Sequence, residues 1–161
     1  MLTFDKDSFA RLIRVLKQLS PTMRRGMLRK ALRAGARLVQ RTASTPGVVP
    51  ILKKPVYKHG KLVRRPGTLQ RNILIRRSKD AEREGDVGVF VNVKPARGAL
   101  RGADSPDDPF YWRFVHFGTK KMAARPFLTI GARELQGPAL RAIEASLKPD
   151  LQQLDLPGVN R

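Results

Sequence analysis

The chain reads as an α+β protein, with two N-terminal helices and a C-terminal helix packed on a small antiparallel β-sheet, joined by long basic loops. Three observations predict this. Apolar residues recur at helical spacing over residues 9–19, 27–39 and 140–147, Val87, Val89, Val91 and Val93 alternate as in a half-buried strand, and stretches bearing proline and glycine separate these segments. A length of 161 residues suits a single domain, 1–161, and 41% hydrophobic residues are enough to build its core.

Asp5 or Asp7 can cap the first helix, whose Phe9, Leu12, Ile13, Leu16 and Leu19 form one buried stripe. It ends near Ser20-Pro21, and the same dipeptide starts the second helix, with Ser20 as N-cap and Pro21 at the first helical position. From Met23 to about Arg41, Met27, Leu28, Ala31, Leu32, Ala34, Leu38 and Val39 fill one half of the helical wheel. Arg25, Arg29, Arg33, Arg37 and Arg41 recur every four residues and sweep an arc of roughly 160° on the other half.

Residues 44–68 carry prolines, glycines and scattered basic side chains, among them Lys53, Lys54, Arg64 and Arg65. They are expected to form a long loop, with a short hairpin around His59-Gly60, that orders against a neighbour. Strand signals follow over residues 72–77 and 87–93, with the acidic stretch between them making the turn. Residues 94–109 form a second loop ending in Asp104, Asp107 and Asp108, read as solvated acids or a docking point for a neighbour's arginines. Residues 127–130 are expected as a short strand completing the sheet. A last helix runs from about Arg133, tolerates Pro138 in its first turns, and is stopped or kinked by Pro149; residues 155–161 are a frayed tail.

Charge is unevenly placed. Of 33 Lys and Arg and 13 Asp and Glu, residues 1–79 hold 21 basic and 2 acidic side chains, net +19, while residues 80–161 hold 12 and 11, net +1. Such a field attracts polyanions, DNA foremost, or an acidic protein neighbour. Five arginines at four-residue spacing repel one another by a few tenths of a kcal/mol per pair, a cost that a negatively charged partner removes.

The function classes this composition disfavours are clear. No run of eighteen apolar residues exists, and residues 1–12 lack the basic start and apolar middle of a secretory signal. Without cysteine there is no disulfide, thiol catalysis or cysteine-ligated zinc. Two histidines, with no glycine-rich phosphate loop, nucleophile elbow or metal-spaced pair, argue against an enzyme; no catalytic residue, metal or cofactor is expected.

The densest pattern lies in residues 111–132, YWRFVHFGTKKMAARPFLTIGA. Tyr111, Phe114 and Val115 share one face of a two-turn helix, the cluster is expected to be core, and Trp112 or Arg113 is left for a subunit interface. Gly118 stands where a left-handed C-terminal cap falls, and Arg125-Pro126 forces an extended stretch before Phe127. The order Tyr111, Phe114, Phe117-Gly118-Thr119 and then Arg125-Pro126-Phe127 resembles the F/Y-G-T and A-R-P-F signature of the tail-completion or neck proteins of long-tailed bacteriophages, a family often labelled minor tail component. Where that family commonly has a Glu before the aromatic-Gly-Thr, this chain has His116.

The resemblance implies a structural virion protein at the head-tail junction, assembled in the host cytoplasm, that completes the tail or joins it to the head. It further implies a homo-oligomeric ring, commonly of six copies, around the channel used by packaged double-stranded DNA. Its neighbours would be head-connector, tail-terminator or tail-tube proteins, with no membrane involved. In that setting Arg25, Arg29, Arg33, Arg37, Arg41, Lys53, Lys54, Arg64 and Arg65 are the candidates for contact with DNA or an acidic partner. The alternative from a different class is a free basic nucleic-acid-binding protein.

Overall fold

The computed structural model describes residues 13, 14 and 16–153, with Ala99 described in its backbone alone. It confirms an α+β protein in which helices predominate over two small antiparallel ribbons. Its contacts group the chain into two compact units, each assembled from separate segments: residues 1–36, 77–89 and 136–161 in one, 37–76 and 90–135 in the other.

In the first unit, residues 13, 14 and 16–18 are helical, and Leu16 and Leu19 are buried as their spacing requires. The expected caps Asp5 and Asp7 and the stripe residues Phe9 and Leu12 lie outside the described residues. Helix α1 is Pro21–Ala43. Ser20 caps it as expected: its Oγ accepts from Met23 N at 3.4 Å and its carbonyl from Arg24 N at 3.0 Å.

Gly35 lets α1 approach α6, Gln136–Gln152, closely enough that a Cβ would stand 2.8 Å from the Ala139 carbonyl oxygen. Pro138 sits in the first turn of α6, where its missing N–H costs nothing. Pro149 does not stop the helix, which continues to Gln152; Leu147 is buried, while Leu140 of the expected stripe is exposed. The acidic stretch before the valine strand is a short helix rather than a plain turn. This α3, Lys79–Arg83, is capped by Ser78 Oγ accepting from Ala81 N at 3.2 Å, and Asp80 and Glu82 favour its first turn.

The second unit surrounds a core of Ala43, Val49, Leu69, Ile73, Val93 and Phe127. Strands β1, Val56–Lys58, and β2, Lys61–Arg64, pair antiparallel around His59-Gly60. Both turn residues have positive φ, 50° and 74°, as the two-residue type I′ turn demands. Residues 44–68 are therefore not one continuous loop. They hold this hairpin, the turn begun by Thr45 and the start of the single turn α2, Thr68–Arg71.

Strands β3, Ile73–Arg77, and β4, Val89–Val93, form the other ribbon. Backbone bonds from Lys94 N to Asn72 O and from Ser78 N to Gly88 O, each 2.8 Å, bracket the ribbon and run in opposite senses along it. This register sets Ile73 opposite Val93 and Arg76 opposite Phe90.

The expected strand at residues 127–130 is instead the start of helix α5, Phe127–Glu134. A four-residue apolar run has no period of its own, and tertiary packing decides it. Phe127 and Gly131, one helical turn apart, are both buried, and Gly131 lies against the α1 backbone at Val39 and Ala43. Among the described residues the sheet thus has no third strand; the two ribbons remain separate.

Candidate functional site

Helix α4, Trp112–Phe117, starts from Tyr111 and is stopped by Gly118. Gly118 has the expected positive φ, 79°, but its ψ of 178° sends the chain outward instead of coiling it into a left-handed cap. A Cβ there would lie 2.9 Å from Ala124 N and 3.0 Å from Met122 O. The Lys120-Lys121 turn is closed by Thr119 N donating to Met122 O at 2.9 Å and Met122 N to Thr119 O at 3.2 Å. Arg125 N then returns to Val115 O at 2.8 Å, so residues 111–127 form one self-closed frame that delivers Phe127 into the core.

The frame divides its aromatics differently from the expected core cluster. Tyr111, Trp112 and Val115 pack on the core, whereas Phe114 and Phe117 are 52% and 70% exposed. Five aromatic residues in eight positions exceed what one face of a six-residue helix can bury, because residues at 100° spacing encircle it. Arg113, Thr119 and Arg125 are exposed as well, and Trp112 is half-buried.

His116 occupies the interior of the frame at 7% exposure. Its ring packs edge-on against Phe117 at 4.6 Å and Phe127 at 5.3 Å, and its Nε2 lies 3.4 Å from Thr129 Oγ1, while Nδ1 has no partner among the described residues. Burial pushes its pKa below the usual imidazole value. It is a packed residue rather than one presented to a substrate.

Beside the frame lies a cavity of about 460 Å³ lined by Ile51, Leu52, Phe114 and Met122, with Arg64 and Arg125 at its wall. The Arg64 guanidinium stacks 4.9 Å from the Tyr111 ring centre and 5.3 Å from that of Phe110. Burial raises the Tyr111 pKa, more than the nearby Arg64 charge lowers it.

The arginine row is split in its use. Arg25 Nε donates to Gly85 O at 3.2 Å, and Arg29 pairs with Glu82 at 3.5 Å, an acid that Arg77 shares at the same distance. Helix α3 thus supplies the negative charge that α1 itself lacks. Arg33, Arg37 and Arg41 are exposed and have no acidic partner among the described residues. Lys53 and Lys54 are exposed on a bend, and Arg65 pairs with Asp107 at 3.5 Å.

The acids of residues 94–109 have distinct roles. Asp104 pairs with Lys58 at 3.6 Å, whereas Asp108 is 1% exposed and accepts from Ala96 N at 3.1 Å and Gly102 N at 2.7 Å. Asp108 is therefore a structural staple of its own loop, not the solvated acid expected from its neighbours in sequence. The fully buried Pro109 beside it marks where the chain turns inward.

Among the described residues no group of three His, Asp or Glu could hold a metal ion, and no helix is long and apolar enough to cross a membrane. Comparison of the chain with protein-family models, curated proteins and solved structures finds no match.

Proposed function

We propose that this chain is a structural virion protein of the phage head-tail junction, completing the tail or joining it to the head connector as a homo-oligomeric ring. The observation that carries the reading is the frame of residues 111–127, in which the phage-like order of residues coincides with a closed, backbone-bonded unit. That unit holds Phe114 and Phe117 outward on a rigid base. Exposed aromatics on a rigid frame suit a lateral contact between copies, where apolar area is recovered on association. Arg33, Arg37 and Arg41, which have no acidic partner among the described residues, suit DNA phosphates in the channel or an acidic neighbour in the assembled particle.

The test is genetic and structural. Removing the reading frame from the phage or prophage that encodes it leaves filled heads and free tails, seen apart in the electron microscope; normally joined particles would refute the proposal. Phe114→Ser with Phe117→Ser leaves the subunit folded and prevents ring closure, read by native mass spectrometry.

The second reading, a free nucleic-acid-binding protein, is favoured by the same three arginines. It requires the isolated chain to bind duplex DNA with a steep salt dependence, whose slope falls by about 0.9 per lost phosphate contact in Arg33→Gln, Arg37→Gln and Arg41→Gln variants. A junction protein binds free duplex weakly and assembles on its neighbours instead.

A further inference from the structure

Four basic side chains that the sequence scatters over 26 positions converge on one cavity. Arg76 comes from β3, Lys94 from the residue after β4, and Arg97 and Arg101 flank the 3-10 turn Gly98–Leu100. The cavity is about 300 Å³ and no acidic residue lines it.

All three acids of the neighbouring loop are engaged elsewhere. Asp104 pairs with Lys58, Asp107 with Arg65, and both oxygens of Asp108 accept from backbone N–H groups. None of the four cations has an acidic partner among the described residues. Mutual repulsion should drive four such side chains apart unless other contacts hold the residues that carry them. Two devices do so. Asp108 clamps Ala96 and Gly102, on either side of Arg97 and Arg101, and Arg76 lies 6.0 Å from the centre of the Phe90 ring across the ribbon. Gly98, at φ 59°, permits the turn that sets Arg97 and Arg101 on the same cavity.

We infer that Arg76, Lys94, Arg97 and Arg101 form a binding site for a phosphate group, either a free phosphate or one carried by a nucleic-acid backbone. Guanidinium forks match phosphate oxygens in pairs, and a lysine adds a point charge. The site shares no residue with the arginine row of α1 and does not depend on the head-tail reading, because its affinity is measured on the isolated chain.

Calorimetric titration of the full chain with inorganic phosphate and pyrophosphate tests it. Wild type binds saturably. Arg97→Gln with Arg101→Gln, both exposed positions, weakens binding at least about tenfold, while Arg141→Gln with Lys148→Gln, an equal change of charge at two exposed positions of α6, leaves it unchanged. A second arm titrates a short duplex against salt. If the site serves a nucleic-acid backbone, the Arg97 and Arg101 variant lowers the slope by about two contacts' worth and phosphate competes with the duplex. If it serves free phosphate, duplex binding is the same in both variants while the phosphate loss persists. No saturable phosphate binding by wild type, or equal loss in the two double variants, overturns the inference.

Discussion

Gly131 of α5 rests on Ala43, the last residue of α1: a Cβ on Gly131 would stand 3.2 Å from Ala43 N and 3.3 Å from Ala43 Cβ, with Val39 O also at 3.2 Å. The neighbours are mainly backbone, which yields little. Gly131→Val should therefore lower stability by about 1–3 kcal/mol, read as a shift in the urea midpoint. Gly131→Ala, which gains about 1 kcal/mol of helix propensity against a smaller squeeze, should stay closer to wild type. Equal midpoints for the valine variant and wild type would contradict the contact.

Gly118 combines two constraints that act at once, a positive φ and a backbone approach of 2.9 Å to Ala124 N. Gly118→Ala should cost about 1–3 kcal/mol, and Gly118→Val more, because its branched side chain meets the same wall. Thermal unfolding measures both. A melting temperature unchanged in Gly118→Val would mean that the 118–125 loop is held differently.

Asp108→Ala deletes the acceptor of two backbone N–H groups in a site that is 1% exposed. Leaving those donors unpaired should destabilise the protein by about 2–4 kcal/mol. Asp104→Ala removes only an exposed pair with Lys58 and should cost under about 1 kcal/mol. Chemical denaturation of the two variants side by side distinguishes the staple from its solvated neighbour.

His116 makes stability depend on pH in a definite direction. Its folded pKa lies below the ordinary value of 6.5 because burial disfavours the charged ring. As pH falls, the unfolded chain takes up a proton on this residue before the folded protein does. The contribution of the neutral ring is therefore full above the unfolded value and is lost as pH drops through it toward the folded value. Urea midpoints should decrease between about pH 7.5 and about pH 5.5, and His116→Gln should flatten the decrease. A His116→Gln profile parallel to that of wild type would assign the effect to other groups.

How much of this could be read beforehand follows from where the information sits. Ser20-Pro21 announced α1 because capping is local chemistry, and His59-Gly60 marked the hairpin because a type I′ turn selects residues that tolerate positive φ. Ser78 followed by Asp80 and Glu82 carries a similar capping signal for α3, but five residues are too few for an apolar period that would separate a helix from a turn. Residues 127–130 could not be decided locally, since Phe127 and Gly131 become a helix face only once α1 is beside them. The division of α4 into buried Tyr111 and Trp112 and exposed Phe114 and Phe117 likewise depends on what covers each face. The basic cavity was hidden because its four residues come from a strand, a strand end and a loop. The frame of residues 111–127 is legible in the sequence because its glycine, proline and aromatic positions are contiguous.

The β1 and β2 hairpin has a thermodynamic independence from the core that its residues already announce. All three residues of β1 are exposed, including Tyr57 at 60%, while β2 contributes a single buried side chain, Val63. A two-stranded ribbon has only marginal stability of its own, and its pairs Lys58 with Asp104 and Arg65 with Asp107 are exposed contacts that salt weakens. The tip of the hairpin therefore opens by local unfolding, at a free energy well below that of the whole protein, while Val63 keeps its base attached. Its amides should exchange with solvent on a fast clock beside the slow clock of Leu69 and Ile73, so that one chain carries two separate unfolding scales.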